Sequence, residues 1–232
     1  RGTTLVCINP KEVRFEGRII GGIFGVGIPA CIQNLLNVVG MTIFNNKMAS
    51  YGADPVAAMG IVQKINMIPM QIALGVSQGI MPLISYNYAS RNIKRMKEGF
   101  FFTIKISLAF IGVMVVLYYF GAGTIINLFM KNEAVVAVGT KLLRGFCLGL
   151  PFLVFDFVCV GVFQATGLGK NALFFAIARK LLLEIPAIFI LDKLFPLYGL
   201  AYSQLTAELI LSIAALVIIT RLFKRLEQKS KN

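Results

Sequence analysis

Residues 100–120 read FFFTIKISLAFIGVMVVLYYF, with a single charged side chain, Lys105, near the start. A helix of about 20 residues rises about 30 Å, the thickness of a bilayer's hydrocarbon core. Five further apolar stretches of about that length or more occupy residues 19–44, 56–84, 142–165, 172–191 and 200–219. Of 232 residues 57% are hydrophobic and 14% charged, and a soluble domain could not hide six such runs from water. In lipid, an unpaired backbone group is so costly that each run must be a helix or part of a closed barrel. Barrel strands would alternate over about 10 residues, and these runs do not. The sequence therefore predicts an all-α membrane protein with a six-transmembrane-helix bundle at residues 19–220. A cytoplasmic linker or surface helix (1–18) precedes it and a basic cytoplasmic tail (221–232) follows.

The net charge of +13 orients the bundle. Basic groups cluster before the first span (Arg1, Lys11, Arg14, Arg18), between spans two and three (Arg91, Lys94, Arg95, Lys97) and in the tail (Arg221, Lys224, Arg225, Lys229, Lys231). Lys170 joins spans four and five, with Arg179 and Lys180 one to three turns further on. The alternate connections are poorer: Lys47 with Asp54, Lys131 with Glu133, Lys193 with Asp192. Lys141 and Arg144 weaken this asymmetry without reversing it. The positive-inside rule puts both ends in the cytoplasm of a multi-pass protein of the cell (inner) membrane. The basic excess is thus a topology signal, and nucleic acid is not an expected partner.

Catalytic chemistry finds little support. There is no histidine, and Cys7, Cys31, Cys147 and Cys159 form no CxxC pair. Gly167-Leu-Gly169-Lys170-Asn171 lacks the leading glycine and the Ser/Thr of a phosphate loop. No nucleophile has an evident base, so the sequence predicts neither an enzyme nor a cofactor. The start at Arg1 suggests part of a longer protein.

Polar side chains inside the spans are the candidates for function. Gln33, Asn34 and Asn37 form one stripe in span one, by i,i+3 and i,i+4 spacing. Such amides serve either interhelical hydrogen bonding or the wall of an aqueous cavity. Gln71 and Gln78 share a face of span two, with Lys64 on the same heptad face. Met67 and Met70 belong to a group of methionines in spans one and two, which either pack ordinarily or adapt to varied apolar ligands. Asp156, Glu184 and Glu208 lie near the middles of spans four, five and six. A carboxyl at the centre of a membrane helix costs about 2.5–3.5 kcal/mol on insertion scales, so these three mark an ion or substrate pathway or a paired network. Lys180 stands four residues before Glu184, the spacing of an intrahelical ion pair.

One stretch is more specific. It runs Gly27-Ile-Pro29, Phe44-Asn45, Tyr51-Gly52-Ala53, then Gly75-Val-Ser-Gln78-Gly79-Ile-Met-Pro82-Leu-Ile-Ser-Tyr86-Asn87-Tyr88, then Arg91-Asn92 and Lys94-Arg95. This resembles the second half of the multidrug and toxic compound extrusion (MATE) transporters, particularly the bacterial multidrug-export branch. The turn Phe163-Gln164-Ala165-Thr166-Gly167 is a looser match, with Gln164 where an arginine is common. The resemblance implies one lobe of a twelve-helix transporter, partnered by an N-terminal six-helix lobe. It implies export of cationic or amphipathic drug-like molecules in exchange for protons or sodium ions by alternating access. Gln33, Asn34, Asn37, Met67, Met70, Gln71 and Gln78 would then contact substrate, and Asp156, Glu184 and Glu208 would be ion-coupling candidates. The alternatives are a lipid-linked precursor flippase of a related superfamily, against which the few intramembrane cations argue, and a non-transporting membrane scaffold.

Overall fold

Helices account for every long segment among the described residues, as the lipid argument requires. The computed structural model describes residues 17–231, except the side chains at 18, 19, 22, 23, 25–30, 33, 34, 169–172 and 229–231. In order come α1 (Gly17–Ala49), α2 (Ala53–Ala89), α3 (Ile93–Phe129), α4 (Glu133–Cys147), α5 (Leu150–Ala165), α6 (Gly169–Ile177), a π-helical segment (Ala178–Glu184), α7 (Ile185–Leu194) and α8 (Gly199–Lys231). No strand occurs among the described residues. The expected linker over residues 1–16 lies outside them.

Helices α2, α3 and α8 are each long and apolar enough to cross a membrane, and α4 with α5 passes as one span bent by 42°. With α1 and the run 169–194, they account for the six apolar stretches. The bend falls at Leu148 and Gly149, just before Pro151, which has no N–H to extend the helix backwards. Gly149 also packs directly on the α8 backbone at Leu205, where a Cβ would stand 3.4 Å from the Leu205 Cα. Short polar caps set the other turns. Asn92 accepts from the Arg95 N–H at 3.1 Å and Asn132 from the Ala134 N–H at 2.9 Å. Gly52, at φ 107°, and Gly167, at φ 76°, reverse the chain where a side chain would be strained.

Helix α2 is central, packed against α3, α4 and α5, while α5 also contacts α8 and α6. Contact between α2 and α5 is close because Gly161 faces Ser77, whose hydroxyl donates to the Phe157 carbonyl at 2.7 Å. Two apolar cores result. One gathers Met48, Val62, Leu142, Leu143, Val154 and Ile188; the other gathers Ile84, Met96, Phe100, Phe163, Phe175 and Phe223. Helix α5 passes from the first core to the second between Phe157 and Val158. Helix α1 is peripheral, touching α2, α6, the π segment and α7. Its end is fastened to α7 by Asp192, which accepts from Lys47 at 3.2 Å and from the Tyr51 hydroxyl.

Candidate ion and substrate site

At the seam between the cores three charged side chains meet. Asp156 comes from α5, Arg179 from the π segment and Glu208 from α8. Asp156 is fully buried and Glu208 is 2% exposed. Arg179 donates through Nη2 to Glu208 Oε2 at 3.0 Å, and the same nitrogen is 4.0 Å from Asp156 Oδ2. The guanidinium also lies 4.9 Å from the centre of the Phe157 ring, a cation–π contact. Both carboxyl oxygens of Asp156 are buried and have no hydrogen-bond partner among the described residues.

A small cavity of about 40 Å³ adjoins Arg179, bounded by Asn37 of α1, Met70 of α2 and Phe157, Val160, Phe175 and Leu211. That is room for a water or a small ion, since a single water needs roughly 10–15 Å³. Asn37 and Met70 are thereby brought to the charged cluster. Gln71, Gln78 and Met67 are not: they are exposed on the outward face of α2, beside Lys64. Gln33 and Asn34 lie in α1, and their side chains fall outside the described residues. Glu184 accepts from Lys180 at 2.7 Å within the same helical run, and the Lys180 stem crosses α1 at Gly40, where a Cβ would come within 3.2 Å. Among the described residues, no three His, Cys, Asp or Glu side chains gather as a metal site.

The sequence model of the MatE family matches residues 29–190, more than half of the chain. The chain belongs to the MatE family. It is 32% identical over 230 residues to Multidrug export protein MepA of Staphylococcus aureus (strain bovine RF122 / ET3-1), covering 97% of this chain and 50% of that protein. The fold superposes on a crystal structure of MATE in the bent conformation with a TM-score of 0.87 at 20% identity, covering 99% of this chain and 51% of that one. An outward-facing conformation of a multidrug resistance MATE family transporter of the MOP superfamily matches with a TM-score of 0.85, also at 20% identity, over 97% and 51% of the two chains. The chain spans about half the length of the curated relatives it matches.

Sequence reasoning missed two polar members of this MatE lobe. Arg179 was grouped with the basic connection at Lys170, although it lies inside an apolar run and so carries the same warning as the acids. Asn66 of α2 was passed over, yet its amide oxygen and nitrogen are both buried without a partner among the described residues. A lone amide within an apolar run was the available signal.

Proposed function

We propose that this chain is the C-terminal half of a secondary antiporter of the inner membrane, with both ends cytoplasmic. It exports cationic or amphipathic compounds in exchange for protons or sodium ions by alternating access. The observation that carries this reading is the buried cluster of Asp156, Arg179 and Glu208. Two carboxylates face one guanidinium. With both acids ionised, one negative charge stays uncompensated in a low-dielectric interior, which a proton or a monovalent cation would balance. Glu208 is occupied by Arg179, so Asp156, whose oxygens have no hydrogen-bond partner among the described residues, is the acceptor. Glu184 has its cation in Lys180 and Glu208 has Arg179, so the coupling role falls to Asp156, with Glu208 acting on it through the shared guanidinium.

The substrate would meet the exposed α2 face carrying Met67, Gln71 and Gln78, together with Gln33, Asn34 and Asn37 of α1, opposite an N-terminal six-helix lobe. Flexible thioethers and amides on such a wall suit varied drug-like molecules. The names of the relatives support export of drugs as the activity. The test is efflux of several cationic dyes by the full-length protein in vesicles, under proton and sodium gradients imposed separately. One gradient should drive efflux in the native protein and fail to do so after Asp156→Asn. Efflux that ignores both gradients would refute the antiport reading.

A further inference from the structure

A second feature lies away from the buried cluster, where α2 turns into α3. From its lining we infer that this end of the bundle holds the headgroup of an anionic phospholipid drawn from the surrounding bilayer. The inference does not depend on the transport activity.

The cleft there is open to the surface and offers about 1150 Å³. That exceeds the roughly 300–1,000 Å³ of sites for drug-sized ligands, so a headgroup with its glycerol fits. Its walls bring Arg91, Lys94, Lys97 and Lys105 together against two carboxylates, Glu98 and Glu227. Lys97 is taken: it is bonded to Glu227 of α8 and sits 5.5 Å from the Phe223 ring. Arg91, Lys94 and Lys105 form no salt bridge among the described residues, and only Glu98 opposes them. The cleft is therefore a place of surplus positive charge.

The order of residues along α3 identifies the anion. Lys94 is at the helix start; Phe101 and Phe102, 54% and 65% exposed, come about two turns later; Lys105 follows one turn further, inside the apolar run. The wall thus passes from cations to exposed aromatic rings as it enters the membrane. A phospholipid has this same sequence of groups, phosphate first and acyl chain below. Lys105 is exposed within the apolar run, and its four-carbon stem lets the ammonium rise to the phosphate level. Basic pockets between spans at the cytoplasmic surface recognise anionic headgroups by such contacts. A free phosphate would use the cations but gain nothing from Phe101 and Phe102.

The test is native mass spectrometry of the detergent-purified full-length protein, titrated with equimolar phosphatidylglycerol and phosphatidylcholine. Phosphatidylglycerol should be retained preferentially. In the double variant Lys94→Gln/Lys105→Gln that preference should fall by roughly 25-fold, about five-fold for each lost headgroup cation. Glu98→Gln removes the opposing carboxylate and should raise it. This variant keeps the proposal testable if the double variant is poorly folded. Equal retention of the two lipids would overturn the proposal, as would preference surviving the double variant or unchanged by Glu98→Gln. Full displacement of the lipid by inorganic phosphate would overturn it too, and would mark a free-anion site instead.

Discussion

Arg179 and Glu208 form an ion pair at 3.0 Å between the π segment and α8, with Asp156 as a second carboxylate 4.0 Å from the same nitrogen. A buried pair adds little net stability, but removing one partner leaves an uncompensated charge, at a cost of about 3–5 kcal/mol. The two partners should therefore behave unequally. Arg179→Met strands both acids and should lose about 3 kcal/mol. Glu208→Gln leaves Asp156 to take over the guanidinium and should lose about 1 kcal/mol, the worth of a single hydrogen bond. Thermal unfolding followed by dye reaction at the buried thiols of Cys147 and Cys159 measures both. Equal losses would show that Asp156 does not serve as an alternative partner.

Asp156→Asn removes a charge while keeping size and shape. The variant should unfold at the same temperature as the native protein or higher, because a charge with no hydrogen-bond partner among the described residues is no longer buried. Its dye efflux should lose dependence on the coupling gradient. A lower melting temperature with normal coupled efflux would make Asp156 a structural residue.

Gly161 and Gly112 are both helical glycines with opposite surroundings. A Cβ at Gly161 would stand 2.6 Å from Ser77 Oγ and 2.9 Å from its carbonyl oxygen, whereas one at Gly112 would meet nothing within 4 Å. Gly161→Ala should cost about 1–3 kcal/mol by prising α5 from α2. Gly112→Ala should be neutral or gain up to about 1 kcal/mol through helix propensity. Melting temperatures that move together would contradict the close contact.

The Tyr51–Asp192 hydrogen bond ties the α1–α2 turn to α7, and it raises the Tyr51 phenol above its ordinary value of 10.0. A raised value means that the folded state favours the protonated phenol. The contribution is complete below the unfolded value and is lost only as pH rises through the folded one, so it is fully present at neutral pH. Tyr51→Phe should release the end of α1, costing about 1 kcal/mol. Faster amide exchange over the last turns of α1, with α3 unchanged, is the expected signature.

Gln71 and Gln78 are exposed, so replacing either with alanine should leave stability within about 0.5 kcal/mol. If this face contacts substrate, the relative efflux of different dyes should change. Uniform efflux across dyes would remove both residues from the substrate wall.

The helices were legible because continuous apolar runs of this length have few other solutions. Their ends were not. Helix α3 runs from Ile93 to Phe129 and α8 to Lys231, well past the apolar limits of 100–120 and 200–219. At 93–99 and 221–231 the charged residues form helix readily and hydropathy does not register them, whereas at 121–129 the extension is uncharged and Gly121, Gly123, Thr124 and Asn127 interrupt the apolar run. Asp156 and Glu208 stood out as acids among apolar neighbours. Their partner did not, because Arg179 approaches from another helix, 29 residues from Glu208 in sequence. Lys180 and Glu184, four apart, could be paired by spacing alone.

Arg179 and Lys180, adjacent in the π segment from Ala178 to Glu184, serve different neighbours. Arg179 turns to α5 and α8, and Lys180 crosses α1 at Gly40. Its bonding reaches five residues back, as from the Ile185 N–H to the Lys180 carbonyl. Such a turn holds an extra residue. A point substitution there edits one side chain. Deleting one residue would let the segment relax to an ordinary α-helix, and because the wide turn is what accommodates the extra residue, Gly169–Ile177 and Ile185–Leu194 would keep nearly their present phase. The number of residues in this turn, and not only the charges it carries, therefore helps decide where Arg179 stands relative to α5 and α8.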